Sequence, residues 1–276
     1  MDQKTIVITG ASDGIGAAAG RELSARGARV VVVGRNAQKT RAVAQELGAP
    51  FHLADYAELS QVRRLAQELD EAYPRIDVLA NNAGALMDSR KLTVDGFEKT
   101  FQVNHLAGFL LTKLLLPKLI ESRATVIQTA SVAARLFSRF DIDDLQNTKH
   151  DGGQVAYGNA KLENILFTRE LDRRFAGEGI SAAAFHPGLV GSNFAHGTKD
   201  PLNFLYHTPV VSNLLTLSPE RGAKQLVWLA TSTPGTDWQR GQYYERKKPA
   251  KSAREAHDGE LGRRLWEESE RMVTRV

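Results

Sequence analysis

Three tyrosine–lysine pairs in the chain share the spacing Y-x-x-x-K: Tyr157–Lys161, Tyr243–Lys247 and Tyr244–Lys248. On a helix that spacing sets both side chains on one face. A phenol ionises near pH 10 in water, too high for a base at neutrality. An ammonium beside it favours the phenolate and brings it into range, so that it can exchange a proton with a carbonyl or alcohol oxygen. The two later pairs lie where a last strand would run, closed by Pro249, and do not share a helix face. Tyr157 opens the run Tyr157-x-x-x-Lys161-Leu162-x-x-Ile165-Leu166-x-x-Arg169-Glu170-Leu171, whose apolar period is helical. Tyr157 and Lys161 are therefore the pair expected to do chemistry.

A second constellation stands near the N-terminus, Thr9-Gly10-Ala11-Ser12-Asp13-Gly14-Ile15-Gly16. Glycines in such a turn let the backbone approach a pyrophosphate, which then rests on the positive end of the following helix. Gly10, Ser12, Asp13, Gly14, Ile15 and Gly16 form this candidate cradle. It follows the first apolar run and opens the first helical pattern, as the mechanism requires. The second apolar run ends in Gly34-Arg35-Asn36. An acid there would bond an adenosine ribose, whereas an arginine accommodates a 2′-phosphate. Arg35 and Asn36, with Lys39 one helical turn on, point to NADP over NAD. Asp13, an acid just before the second glycine, argues the other way.

The elements that must position these groups alternate. Strands are expected at Thr5–Thr9, Arg29–Val33, a short run ending near Leu53, Asp77–Ala80, Ala124–Thr129 and Ile180–Phe185, with helical patterns between them. Such alternation predicts an α/β fold, a Rossmann-type doubly wound parallel sheet of about seven strands with helices on both faces. The 276 residues show no repeat, low-complexity block or linker, so one domain over 1–276 is expected. The absence of cysteine removes disulfides, thiolate nucleophiles and Cys-ligated metals. Lys and Arg exceed Asp and Glu by 36 to 32, a mild excess that decides nothing alone. The apolar run at Ile6–Ile8 is too short for a signal-peptide core, and the stretch from Phe109 to Ile120 is broken by two lysines and a proline. No membrane span and a cytoplasmic location are expected.

The glycine turn resembles the first turn of the short-chain dehydrogenase/reductase family, T-G-x-x-x-G-I-G. Further matches follow in order: Asn81-Asn82-Ala83-Gly84, Asn104, Ser131, Tyr157-Gly158-Asn159-Ala160-Lys161 and His186-Pro187-Gly188. The resemblance covers roughly residues 4–245. It implies an NAD(P)-dependent alcohol dehydrogenase or carbonyl reductase in which Asn104, Ser131, Tyr157 and Lys161 form the catalytic set. By the same resemblance Ser131 holds the substrate oxygen, and Asn104 kinks its helix and holds a water next to the lysine. Asp55 binds the adenine amine, and Asn82, Ala83 and Gly84 flank the adenosine side. Pro187, Gly188, Val190 and Ser192 line the nicotinamide, Ser192 replacing a threonine. His105 is expected to be structural and His186 a strand-end residue.

Between Ser131 and Tyr157 lies a longer insert than the smaller family members carry, Arg135 to Gln146, read as a solvated loop. With Lys161-Leu162-x-Asn164-x-Leu166-Phe167-Thr168 and Leu265-Trp266-Glu267-x-Ser269 it resembles the retinol dehydrogenase and WW-domain oxidoreductase branch. Asp141, Asp143 and Asp144 lack the spacing of a calcium loop, so no metal is expected. The apolar residues of about 192–218 would form a substrate lid, suited to a lipophilic aldehyde, ketone or alcohol. A basic tail or helix over about 247–276 follows. Arg246, Lys247, Lys248, Lys251 and Arg254 lack interleaved aromatic residues, so nucleic acid is not expected as a partner. The resemblance implies a homodimer or homotetramer paired through the helices of Asn104 to Ile120 and Tyr157 to Phe175. The alternative reading is a catalytically silent NADP(H)-sensing protein that signals to a protein partner.

Overall fold

The structure is a computed structural model that describes residues 3–87, 90–150, 152–188 and 217–275. Val30 to Val33 of β2 (Arg29–Gly34) are buried without alternation, which requires cover on both faces of the sheet. Side chains along each strand divide by a period of two. Val7, Val31, Val33, Leu79 and Val126 enter one apolar cluster, while Ile6, Ile8, Val30, Val32 and Ile127 enter another. The two layers of helix on either side follow from that division.

In chain order the elements begin β1 (Thr5–Thr9), α1 (Gly14–Ala25), β2, α2 (Ala37–Leu47), β3 (Phe51–Leu53), α3 (Leu59–Ala72) and β4 (Val78–Asn81). There follow α4 (Lys99–Glu121), β5 (Thr125–Thr129), the short α5 (Ala133–Leu136), α6 (Gly153–Phe175) and β6 (Ser181–Phe185). Next come α7 (Pro219–Thr231), β7 (Gln242–Glu245), β8 (Lys248–Pro249) and α8 (Gly259–Thr274). The sheet order is β3-β2-β1-β4-β5-β6-β7-β8, parallel throughout except for the β7–β8 pair. Chain direction across the sheet reverses between β1 and β4, and the crevice above their C-terminal ends is where this architecture receives ligands.

The eighth strand was not expected. After β7 the chain turns through Arg246 and Lys247, both at positive φ, and Lys248–Pro249 folds back along β7. The insert after Ser131 also differs from a solvated loop. Ile142, Leu145 and Asn147 are buried. Its acids are held locally: Asp141 by Lys149, Asp143 by Arg264 of α8, and Asp144 by the backbone N–H groups of Thr148 and Lys149. Ile142 and Leu145 anchor the insert, while Leu136 and its charged residues meet water.

Among the described residues α4 alone is long and apolar enough to cross a membrane, yet 67% of its apolar window is buried within this fold. It is a core helix packed against α3 and α6. On its other side lies α8, whose Trp266 ring meets Phe109 of α4 at 5.1 Å and Phe167 of α6 at 5.7 Å. The helix thus covers α4 and α6, the pair through which self-association was expected.

Candidate active site

At the end of β1 the Thr9 hydroxyl donates to Ala80 O (3.2 Å) and accepts from the N–H groups of Asn82 (3.0 Å) and Ala83 (3.1 Å). Asn82 Nδ2 donates to Thr9 O at 3.0 Å, and its Oδ1 accepts from the Thr129 hydroxyl at 3.1 Å. Three strand ends are thereby tied into one floor. Gly16 lies so close to it that a Cβ would stand 2.4 Å from Gly10 O and 2.8 Å from Asn82 Nδ2. The turn is therefore a shallow backbone cradle at the positive end of α1, the shape and polarity that a pyrophosphate needs. Asp13 caps that helix by accepting from Gly14 N at 2.8 Å, and pairs with Lys39 Nζ at 2.8 Å.

The β2 end carries the groups expected to meet the adenosine. Asn36 is the N-cap of α2, accepting from Lys39 N at 2.9 Å. Arg35 beside it is exposed and forms no ion pair among the described residues. Lys39, expected to add a second positive charge, is tied to Asp13 and neutralises the acid that argued against a phosphate there. Asp55 follows β3, where its Oδ1 accepts from Ala57 N at 2.9 Å and turns the chain.

The second corner is built from side chains. Lys161 is only 2% exposed, and its Nζ lies 5.3 Å from the Tyr157 ring centre and donates to Thr129 O at 3.1 Å. Burial without a carboxylate partner lowers its pKa to about 7. Gly84 makes room for this: a Cβ there would stand 3.0 Å from Lys161 Nζ and 2.5 Å from Asn104 Oδ1. Asn104 lies in a π-helical turn, Gln102–Leu106, inside α4, the expected interruption of that helix. Its side chain binds the Ala85 backbone on both atoms, Oδ1 accepting from Ala85 N (3.1 Å) and Nδ2 donating to Ala85 O (2.9 Å).

Ser131 follows β5, and its Oγ accepts from Ala133 N at 3.2 Å. The next N–H, of Val132, points to His186 Nδ1 at 3.4 Å. Burial holds that imidazole below its usual range, in keeping with a neutral strand-end residue that braces the serine turn. The chain before Tyr157 is fixed against its helix by Asn159, which accepts from Arg139 N (2.7 Å) and donates to Asn147 Oδ1 (2.7 Å). Pro187 and Gly188 border the crevice at the end of β6. Val190, Ser192 and all but the last two residues of the lid expected over about 192–218 lie outside the described residues. The competing tyrosines, Tyr243 and Tyr244, are strand residues of β7, and the Tyr244 hydroxyl is taken up by the Gln239 backbone at 2.7 and 2.9 Å.

Three participants were missed by the sequence reading. Thr9 and Thr129 supply the knot and the carbonyl that receive Asn82 and Lys161. Asn164 donates from Nδ2 to Asn104 O (3.1 Å) and Thr129 O (3.4 Å). Its spacing, one helical turn beyond Lys161, was the available signal.

A doubly wound sheet, a glycine cradle at its switch point and a buried Tyr–Lys pair define an NAD(P)-dependent oxidoreductase. The chain belongs to the short-chain dehydrogenase family, whose family model, "short chain dehydrogenase", matches residues 4–202. It is 41% identical over 274 residues to a Streptomyces sp. (strain C5) protein described as a daunorubicin C-13 ketoreductase, DnrU, covering 96% of this chain and 91% of that one. Human retinol dehydrogenase 13 is 37% identical over 290 residues, covering 98% and 84%. Among solved structures, the Pseudomonas aeruginosa RhlG/NADP active-site complex superposes with a TM-score of 0.68 at 28% identity, covering 87% of this chain and 93% of that one.

Proposed function

We propose that the chain is an NADP(H)-dependent carbonyl reductase and alcohol dehydrogenase for lipophilic substrates. A nicotinamide cofactor held at the glycine cradle of Gly10 to Gly16 would supply or accept the hydride at the carbonyl carbon. Tyr157 gives its hydroxyl proton to the carbonyl oxygen in reduction and takes the alcohol proton in oxidation. Lys161 favours the phenolate by its charge. The Ser131 hydroxyl holds the substrate oxygen, a positioning and charge-stabilising task. Asn104 keeps the Gly84–Ala85 backbone against the lysine. The observation that carries this reading is the Lys161 ammonium, buried 5.3 Å from the Tyr157 ring and received, among the described residues, by a backbone carbonyl.

NADP is favoured by Arg35, exposed at the end of β2, with Asp13 neutralised by Lys39. The RhlG relative was solved with NADP, in keeping with that choice. A lipophilic substrate is supported by relatives named for daunorubicin and retinol. The test follows NADPH absorbance with aliphatic, aromatic, steroidal and retinoid carbonyls. Turnover on the lipophilic members that vanishes in Tyr157→Phe is expected. Turnover unchanged in that variant sinks the mechanism.

A further inference from the structure

Behind Lys161 runs a row of buried polar groups that the proposed chemistry does not use. Ser269 of α8 has no exposed surface, and its Oγ lies 3.0 Å from His105 Nε2. His105 is 2% exposed and set among the rings of Phe101, Phe109 and Phe167 at 5.6, 6.3 and 6.1 Å. Burial, opposed by the Asn164 side chain and helped by the Lys161 charge, lowers its pKa to about 4, so the ring is neutral and carries one N–H. A hydroxyl donating to Nε2 leaves that hydrogen on Nδ1. Nδ1 is buried and closes no hydrogen bond, and the Asn164 side chain is the polar group that interacts with this ring. Asn164 Nδ2 in turn serves Asn104 O and Thr129 O, and Thr129 O is the carbonyl that also receives Lys161 Nζ.

We infer that Asn164 is a positioning residue for Lys161 and that His105 and Ser269 fix the direction of its amide. An amide can be turned two ways, and the hydrogens of its neighbours decide which. With Nδ1–H facing Asn164 Oδ1, the NH2 group must face the two carbonyls. Turned over, Oδ1 would meet two carbonyl oxygens in a buried place, an arrangement without compensation. Asn104 O belongs to the π turn, so Asn164 also joins that turn to the end of β5. A single hydroxyl on the C-terminal helix is thereby connected, through one ring and one amide, to the carbonyls around the catalytic ammonium.

The inference rests on the Tyr157–Lys161 reading, and the experiment separates the two. In the full chain, kcat, KM, the NADPH Kd and the pH profile of alcohol oxidation are measured for Asn164→Leu, His105→Phe, Ser269→Ala and Ser269→Thr. A displaced reacting group is costly, so Asn164→Leu and His105→Phe should lower kcat about tenfold or more while KM and the NADPH Kd hold. The rise of oxidation with pH should move upward, because a less well held ammonium favours the phenolate less. Ser269→Ala should lower kcat about threefold with the same sign of pH displacement. Ser269→Thr keeps the hydroxyl and should restore both. If the Asn164 or His105 variant does not fold, the Ser269 pair decides alone. Wild-type kcat and pH profile in Ser269→Ala, with only the melting temperature lowered, overturns the inference while Tyr157→Phe remains inactive. Full turnover in Tyr157→Phe instead removes the mechanism on which both stand.

Discussion

Lys161 and Lys39 are the same side chain in opposite settings. Lys161 is buried, has no carboxylate to pair with among the described residues, and is received by a backbone carbonyl. Lys39 is about half exposed and pairs with Asp13. Desolvation moves the first into the range where it titrates near neutrality, whereas an exposed pair is screened by water and contributes little to stability. At a cost to the fold, burial depresses the affinity of a cation for its proton, which is what the proposed chemistry asks of Lys161. Exposure leaves a cation a recogniser whose influence is felt by a charged ligand.

The largest effect should come from removing the buried charge. Lys161→Met is expected to lower kcat/KM by about a thousandfold or more, since it takes away what favours the phenolate. The same change should raise the melting temperature, because an apolar chain suits that site and Thr129 O keeps the Asn164 amide as a donor. The sign with pH is fixed. Folded Lys161 titrates at about 7, against about 10.4 in an unfolded chain. Between those values the unfolded chain binds more protons, so native stability rises with pH there. The advantage of Lys161→Met should be greatest below pH 7 and vanish by about pH 10 in denaturant titrations. A variant less stable than the native chain at every pH would break the contrast between the two lysines.

Next in size is the cover over the buried corner. Trp266 is 3% exposed, stands 5.8 Å from the Phe175 ring, and has Arg174 at 4.8 Å over its face. Trp266→Ala should cost about 3–5 kcal/mol in chemical denaturation, as for a large aromatic removed from a core. It should also uncover Phe109 and Phe167 and promote self-association, measured by sedimentation velocity. A native chain that already pairs through α4 and α6 and sediments unchanged in the variant would show that α8 does not guard that face.

The two settings were also unequally legible. The strands, the glycine turn and the Tyr157–Lys161 face could be read because each depends on spacing within one element. The π turn at Asn104 came through resemblance. What the sequence did not show is what distance along the chain conceals. Asp13 and Lys39 are 26 residues apart, and without their contact the acid counted against a phosphate. His105 and Ser269 are 164 apart, and nothing local marks a lone histidine in an apolar helix as part of a polar row. The covering of α4 and α6 by α8 and the anchoring of the insert are likewise tertiary facts. The fold was legible nearly whole, and the connections between its site residues were not.

On the open side the leading prediction concerns Arg35. An arginine at this strand end accommodates the 2′-phosphate, so Arg35→Ala should reduce the NADPH-over-NADH preference in kcat/KM about ten- to a hundredfold, mostly through KM. The loss should shrink as salt rises, since the guanidinium is exposed. An unchanged preference would make Arg35 an ordinary solvated residue and leave the NADP assignment without support.

The smallest expected effect is the most specific test of the exposed pair. Asp13 caps Gly14 N and holds Lys39. Asp13→Asn keeps an oxygen for the cap, and caps of the two types are close to equal, so little stability should be lost. It removes a negative charge next to the cradle and frees Lys39 from its partner. Binding of NADPH should tighten about two- to fivefold at low salt, with a smaller change for NADH, which lacks the 2′-phosphate. In Lys39→Ala the acid loses the Lys39 charge and the sign should reverse. If both variants weaken NADPH equally in calorimetric titration, the pair acts as a structural clasp on the turn and not as a neutralised acid. If they move in opposite directions, the charge that seemed to argue against NADP is cancelled by its neighbour.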